Sequence, residues 1–202
     1  MEPLLGVHMK RRHLSMLWTL FVCSLFASAL LVSCNSQPVD TAATPAAPPP
    51  PNGEKLVLTL GCHDCHTPMK MGEQGPEADM ARMLSGHPQE IGPMIPPTLP
   101  PDSGWMWVGN ATNTAYAGPW GVSYSANLTP DEATGLGAWT EEWFVNSIRK
   151  GLHMGSGRPI MPPMPWQAYA HLDDAELKAI FAYLKTIPAI KNEVPPYSAP
   201  GE

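Results

Sequence analysis

The chain has 202 residues, of which 44% are apolar and 15% are charged, a composition typical of one compact domain with additional terminal segments. Its formal net charge of −6 argues against a nucleic-acid partner, because binding to phosphate backbones depends on clustered lysine and arginine. The 25 prolines and 17 glycines predict short helices that are joined by long irregular connections.

The N-terminal segment has the pattern of an export signal. Residues 10–12 are Lys-Arg-Arg, and an apolar run over residues 14–32 follows them. The run ends in Leu-Val-Ser-Cys, which resembles the lipobox of bacterial lipoproteins. Residues 1–33 are therefore predicted to be a lipoprotein-type signal peptide, with Cys34 as the lipidated residue. The alternative is an uncleaved transmembrane helix, since about 19 apolar residues are long enough to span a bilayer.

Both alternatives place the rest of the chain outside the bacterial cytoplasm, anchored to a membrane and facing the periplasm. Residues 34–52 are small, polar or proline residues, which cannot bury enough apolar surface to offset the entropy lost on ordering. This stretch is predicted to be a linker rich in proline and alanine. The folded domain is predicted to span residues 53–202.

A first amphipathic helix is predicted over residues 53–61, and it leads directly into Cys-His-Asp-Cys-His at residues 62–66. Two thiols three positions apart at a helix end reach both vinyl groups of one haem, while the adjacent imidazole binds the iron. The pattern therefore predicts one covalently attached haem c, bound by Cys62 and Cys65, with His66 as an iron ligand.

Three other kinds of site share part of this pattern. A structural disulfide would leave the position of His66 unexplained. A zinc site needs four ligands, and the folded region has no second pair of cysteines. A thioredoxin-like motif lies between a strand and a helix, whereas Thr67 and Pro68 begin a stretch without a helical or strand period. His63, between the two cysteines, is expected to face solvent.

The stretch from Met69 to Tyr124 is rich in proline, glycine and methionine. It is predicted to be a long irregular loop that wraps around the domain. The sequence indicates no function for it.

Two further helices are predicted in the second half of the chain. The first begins with Thr140 as its N-cap and ends at Gly151, with acidic residues in its first turn and basic residues in its last. The other begins with Asp173 as its N-cap, has Glu176 three residues later, and must stop before Pro188.

A proline-rich segment at residues 158–166 separates these two helices and contains Met161 and Met164. Prolines restrict φ and hold such a loop stiffly, and the weak bond from a thioether to iron needs a preorganised loop. Either methionine is therefore a candidate for the second axial ligand of the iron. His153 and His171 are alternative candidates, and either would give a bis-histidine haem of lower potential.

Together these features resemble a mono-haem class I cytochrome c over residues 53–190. More narrowly, the chain resembles the cytochrome domains of bacterial alcohol, aldehyde and gluconate dehydrogenase systems. The similar stretches are Ser-Ala-Asn-Leu-Thr-Pro-Asp at residues 125–131, Gly-Ala-Trp-Thr at residues 137–140 and Met-Pro-Trp at residues 164–166. The resemblance implies that Met164, rather than Met161, is the distal ligand. Trp139 is expected either to lie beside a haem propionate or to pack in the core.

The resemblance also implies an all-α fold, a small cytochrome c fold of short helices around one haem with the long loop as an insertion. Those dehydrogenase subunits commonly carry three haem units, whereas this chain has one such motif. The predicted function is one-electron transfer between periplasmic or membrane redox proteins, without catalysis. The alternatives are a haem enzyme or gas sensor with an open distal site, or a cytochrome subunit of a dehydrogenase or oxidase complex.

Overall fold

The computed structural model describes residues 49–98, 100 and 102–201. The predicted signal peptide over residues 1–33, the predicted lipidation site Cys34 and most of the predicted linker lie outside these residues. None of the helices among these described residues combines the length and the apolar composition that a membrane-spanning segment needs.

The described residues contain five α-helices. They are α1 (Gly53–Thr59), α2 (Cys62–His66), α3 (Glu141–Lys150), α4 (Trp166–Tyr169) and α5 (Asp174–Leu184). The three helices predicted from the sequence are confirmed as α1, α3 and α5. The structure also contains two short helices that were not predicted. Helix α2 contains the cysteine motif, and helix α4 follows the methionine loop.

The N-termini of α3 and α5 follow the capping signals in the sequence. The hydroxyl of Thr140 accepts a hydrogen bond of 3.1 Å from the backbone N–H of Trp143. At α5, Asp173 and Glu176 form a capping box, in which each side chain accepts from the other residue's backbone N–H at 2.8 and 2.9 Å. Local signals therefore set where both helices begin.

Helices α1 and α5 cross closely, and their apolar faces form the core together with α3. A Cβ atom on Gly53 would lie 1.9 Å from the carbonyl oxygen of Ala179, so this approach requires glycine. Phe144 of α3 packs on Phe181 of α5 with ring centroids 5.3 Å apart. The buried apolar residues of this core are Val57, Leu84, Leu136, Phe144, Ile148, Leu177, Ile180, Phe181, Leu184 and Ile187.

Residues 69–124 are not wholly the irregular loop that the sequence predicts. They contain two small antiparallel sheets, formed by β1 (Met69–Gly72) and β2 (Gly75–Ala78), and by β3 (Val108–Gly109), β4 (Ala115–Gly118) and β5 (Gly121–Tyr124). Strands of two to four residues are too short for an alternating pattern to stand out in a sequence dense in proline and glycine. The helical part of the all-α prediction is confirmed, but the fold also carries these sheets.

The C-terminal tail after α5 packs on this insertion. The side-chain amide of Asn192, only 1% exposed, donates to the carbonyl oxygens of Ser85 at 2.6 Å and His87 at 2.9 Å. Ser198 pairs with Val122 of β5 through two backbone hydrogen bonds of 2.9 and 3.0 Å. The insertion and the tail therefore hold each other in place.

Candidate haem site

A cavity of about 720 Å³ lies between the helices, the insertion and the C-terminal tail. Its volume is within the range of about 300–1,000 Å³ that is typical of ligand and cofactor sites. Core residues of α3 and α5, among them Phe144, Ile148 and Leu177, form part of its wall. A group that fills this cavity therefore becomes part of the core packing.

The motif helix α2 lies along this cavity. Gly61 turns the chain between α1 and α2 with a φ of 71°, a left-handed conformation that a side chain would strain. Cys62, Cys65 and His66 line the cavity, whereas Asp64 is exposed. The structure thus brings the three residues predicted from the motif to one wall.

The ring of His66 is oriented by a hydrogen bond to the backbone. Its Nδ1–H donates to the carbonyl oxygen of Ala126 at 2.8 Å, because a carbonyl oxygen can only accept. This bond fixes the tautomer and leaves Nε2 with a free lone pair. Burial lowers the pKa of His66 below its ordinary value, which favours the neutral ring. A neutral imidazole whose other nitrogen donates to a carbonyl is the usual form of a metal-binding histidine.

The cysteine pair differs from the other sites that share its spacing. The sulfur atoms of Cys62 and Cys65 are not bonded to each other. Burial raises the pKa of Cys62 to about 11, the opposite of the lowered pKa of thioredoxin-like thiols. The pair also follows a helix, α1, rather than a strand. Among the described residues, no three His, Cys, Asp or Glu side chains are grouped so that they could hold a metal ion.

The two candidate methionines, Met161 and Met164, line the same cavity as the motif. Met164 also packs against the hydrophobic core. The hydroxyl of Ser123 in β5 donates a hydrogen bond of 2.5 Å to the carbonyl oxygen of Pro162, and the peptide bond between Pro162 and Pro163 is cis. The insertion therefore anchors the loop that carries both thioethers.

The two candidate histidines are placed differently. His153 lines the cavity, whereas His171 is not among the described residues that do so. The rings of His153 and Trp139 meet edge to face with centroids 5.0 Å apart. Trp139 packs against the core and also lines the cavity, so its expected core packing is confirmed.

Several residues at the site carry no signal in the sequence. Tyr169 of α4 donates a hydrogen bond of 2.6 Å to the carbonyl oxygen of Leu60, two residues before the motif. Tyr116 of β4 lines the cavity and is 3% exposed, and burial raises the pKa of its hydroxyl. His63 is half-buried instead of facing solvent, with its Nδ1 3.0 Å from the hydroxyl of Thr67. The placements of Tyr116 and Tyr169 depend on tertiary contacts, which no local pattern encodes.

The family model for cytochrome c matches residues 51–188, which contain the motif, the methionine loop and all five helices. The chain belongs to the cytochrome c family. Membership implies a covalently bound haem c, and the cavity of this cytochrome fits that group on two observations. Its walls bring the two thiols of the motif together with a histidine that presents a free Nε2. Six buried residues of the apolar core also line it, which suits the apolar faces of a haem.

The cytochrome is similar to subunits of several dehydrogenases. It is 28% identical to the fructose dehydrogenase cytochrome subunit of Gluconobacter japonicus, over 85% of this chain and 27% of that protein. It is 36% identical to the cytochrome c subunit of the quinone alcohol dehydrogenase of Gluconobacter oxydans, over 41% of this chain and 18% of that protein. The identity to a subunit of the nicotinate dehydrogenase of Pseudomonas putida is 35%, over 43% of this chain and 7% of that protein. The matches thus span about a quarter or less of each relative's length.

Proposed function

We propose that this cytochrome is a one-electron carrier with a single haem c, held by thioether bonds to Cys62 and Cys65 and by axial bonds from His66 and Met164 to the iron. The observation that carries the proposal is the convergence of the motif helix and the methionine loop on one cavity. The haem, when bound, supplies reversible exchange of one electron between Fe(III) and Fe(II).

The residues around the site support this assignment of roles. The carbonyl of Ala126 holds the His66 ring so that Nε2 is the nitrogen available to iron. Met164 is favoured over Met161 because its side chain also packs against the core, which preorganises the thioether. Met164 as a second iron ligand beside His66 would leave the haem no coordination position for a substrate or gas. This favours a carrier over a haem enzyme or a sensor.

Potentiometry of the purified full-length chain, produced in a host that attaches haem c, tests the single-haem carrier. We expect one haem iron per chain and one reversible Nernstian wave for one electron. Two waves, or two irons per chain, would contradict the proposal. The same sample exposed to peroxide should show no turnover, because the iron has no open coordination site.

A second candidate function is that of a cytochrome subunit bound to a dehydrogenase. The names of the relatives suggest this role, and exposed apolar side chains of the insertion support it. Ile95, Trp105 and Met106 are 92%, 70% and 74% exposed, and large aromatic and methionine side chains are enriched at protein interfaces.

Affinity purification from native membranes tests this second role. We expect a tagged wild-type chain to retain dehydrogenase activity, and a Trp105→Ser/Met106→Ser variant to lose most of it. Leu58→Ser is the matched control, because Leu58 is 67% exposed but lies on α1, away from the insertion in the sequence. Equal loss in the control, or full retention in the double variant, would remove the docking role.

We also propose that the chain is exported and anchored by lipid. On this proposal residues 1–33 are the signal peptide, Cys34 carries the lipid, residues 34–52 are the tether and residues 53–202 are the cytochrome domain at the periplasmic side. Labelled palmitate is expected to be incorporated into the wild-type chain and lost in Cys34→Ser. Incorporation that survives the substitution would remove the lipoprotein proposal. No incorporation into the wild-type chain would favour the uncleaved transmembrane helix.

A further inference from the structure

The insertion carries a pair of aromatic rings that connects its surface with the wall of the haem cavity. Tyr116 of β4 is 3% exposed and lines that cavity, whereas Trp107, just before β3, is 40% exposed. The two rings meet edge to face with their centroids 5.6 Å apart. A ring that solvent can reach is thus in contact with a buried ring that faces the haem site.

The register of the small sheet explains this contact. Tyr116 of β4 lies opposite Gly109 of β3, and Trp107 is the diagonal neighbour two residues earlier on the same face. A Cβ atom on Gly109 would lie 3.4 Å from Cε1 of Tyr116, so the tyrosine ring lies directly over the glycine. Because no side chain comes between them, the tyrosine and tryptophan rings touch across the sheet.

Hydrogen bonds hold Tyr116 beside the cysteine motif. Its hydroxyl donates to the carbonyl oxygen of Asn113 at 2.6 Å, and the side-chain amide of Asn113 donates to the carbonyl oxygen of Asp64 at 2.7 Å. Asp64 directly precedes Cys65. Burial raises the pKa of the Tyr116 hydroxyl, and its interaction with the Cys65 thiol adds to this effect. The ring therefore lies next to a residue that forms one of the proposed thioether bonds to the haem.

Tyr116 also faces the outer side of the insertion. Among the described residues, it alone lines both the haem cavity and a second cavity of about 220 Å³. Ile95, which is 92% exposed, and Val108 also line this second cavity. One ring thus separates the haem site from exposed apolar side chains of the insertion.

We propose that electrons cross between a partner docked on the insertion and the haem through the rings of Trp107 and Tyr116. This inference rests on the proposed carrier function and names the side of the haem through which that function works. In each transfer to the cytochrome, the donor loses one electron, the electron tunnels through the two rings in contact, and Fe(III) becomes Fe(II). Neither ring is oxidised or reduced on the way.

The surroundings of Tyr116 favour tunnelling over stepwise oxidation of its ring. A tyrosine that is oxidised loses its hydroxyl proton, and here the hydroxyl donates to a backbone carbonyl oxygen, which is not a base. The raised pKa also keeps the hydroxyl protonated at neutral pH. The route therefore needs no proton acceptor and places no charge in the cavity wall.

The test replaces the partner with a photochemical electron donor at a fixed position. A ruthenium tris-bipyridine complex is attached to Met106→Cys in the full-length holoprotein. Cys23→Ser and Cys34→Ser leave the introduced thiol as the only free one, because Cys62 and Cys65 carry the haem. A light pulse excites Ru(II), which passes one electron to Fe(III) and becomes Ru(III). The rate is read from the decay of the ruthenium emission and from the rise of the Fe(II) absorption.

We expect the rate to fall several-fold in Trp107→Leu and in Tyr116→Leu, and to stay near the wild-type value in Tyr116→Phe, which keeps the ring. The same complex on Leu58→Cys is the matched control. Leu58 is 67% exposed on α1, which among the described elements packs against α2 and α5 and not against β3 or β4. The rate from this position should not change in Trp107→Leu or Tyr116→Leu.

An unchanged rate from position 106 in Trp107→Leu, or an equal fall from position 58, would overturn the inference. A fall in Tyr116→Phe as large as that in Tyr116→Leu would overturn it as well. If Tyr116→Leu does not accumulate, Trp107→Leu decides, because Trp107 is partly exposed.

The reduction potential of each variant is measured as well, and it should stay at the wild-type value. This measurement separates a lost route from a changed driving force. Absence of Fe(II) formation from both positions would remove the proposed carrier and this inference with it, whereas Fe(II) formation at an unchanged rate would remove the route alone.

Discussion

Replacing both Cys62 and Cys65 with serine is expected to give a chain that carries no covalent haem and does not unfold cooperatively. Without the thiols no thioether bond forms, and the haem is retained only by its axial bonds and by packing. Once this weakly held haem dissociates, the cavity has to be empty, filled with water or collapsed. Each of these outcomes removes packing from the core residues that form its walls.

The size of the cavity sets the expected direction. A cavity of about 720 Å³ is much larger than the gap left by one truncated core side chain, and such a truncation alone costs about 2–5 kcal/mol. A domain of this size has a total free energy of unfolding of about 5–15 kcal/mol, so loss of the group that fills the cavity is expected to remove a large part of it. The haem thus supplies a substantial part of the hydrophobic core.

Circular dichroism and thermal unfolding of the double variant check this expectation, with Asp64→Asn as the control in the same helix. Asp64 is exposed and does not line the cavity, so its variant should keep both haem and cooperative unfolding. A double variant that unfolds cooperatively near the wild-type temperature would show that the polypeptide core is sufficient without covalent haem. That result would contradict the structural role assigned to the haem.

Replacing Met164 with alanine is expected to abolish the thioether-to-iron charge-transfer band of the oxidised protein. The reduction potential should fall by on the order of 0.1 V, since axial ligands move haem potentials over a span of about 0.8 V. The direction follows from chemistry, because a thioether stabilises Fe(II) relative to Fe(III). Absorption spectroscopy and potentiometry measure both quantities on one sample.

Met161→Ala is the matched control, because Met161 lies on the same loop and lines the same cavity. It should keep the band and shift the potential only slightly. A band that survives in Met164→Ala but disappears in Met161→Ala would reverse the assignment. A band absent from the wild type would favour His153, the candidate histidine that lines the cavity, as the axial ligand.

The sequence was sufficient for the parts of this fold that depend on local signals. Thr140 and the capping box at Asp173 and Glu176 mark the starts of α3 and α5, because capping involves residues at most three positions apart. The spacing of Cys62, Cys65 and His66 is also a local signal, because the three residues lie close together in the sequence. One turn of helix brings these side chains to the same cavity wall.

The structure of the insertion and of the C-terminal tail could not be predicted from local signals. Asn192 reaches the carbonyl oxygens of Ser85 and His87 across more than a hundred residues, and Ser198 pairs with β5 across a long stretch of chain as well. Polar contacts of this kind have no period, and the residues that make them look like ordinary loop residues. The prediction of an irregular loop over residues 69–124 missed the short strands for this reason.

These long-range contacts also explain part of the site. Ser123 anchors the methionine loop from the insertion, and Ala126, just after it, orients His66. The tail contributes residues 193–197 to the cavity wall. The insertion and the tail thus complete the surroundings of both proposed axial ligands.

Carbon monoxide binding to the reduced full-length protein tests the central claim most directly, because a carrier with His66 and Met164 on its iron has no free position for the gas. We expect the absorption spectrum of the dithionite-reduced wild type to stay unchanged under carbon monoxide at neutral pH. Met164→Ala should bind the gas under the same conditions. Prompt stoichiometric binding by the wild type would contradict the account and assign the protein an open distal site.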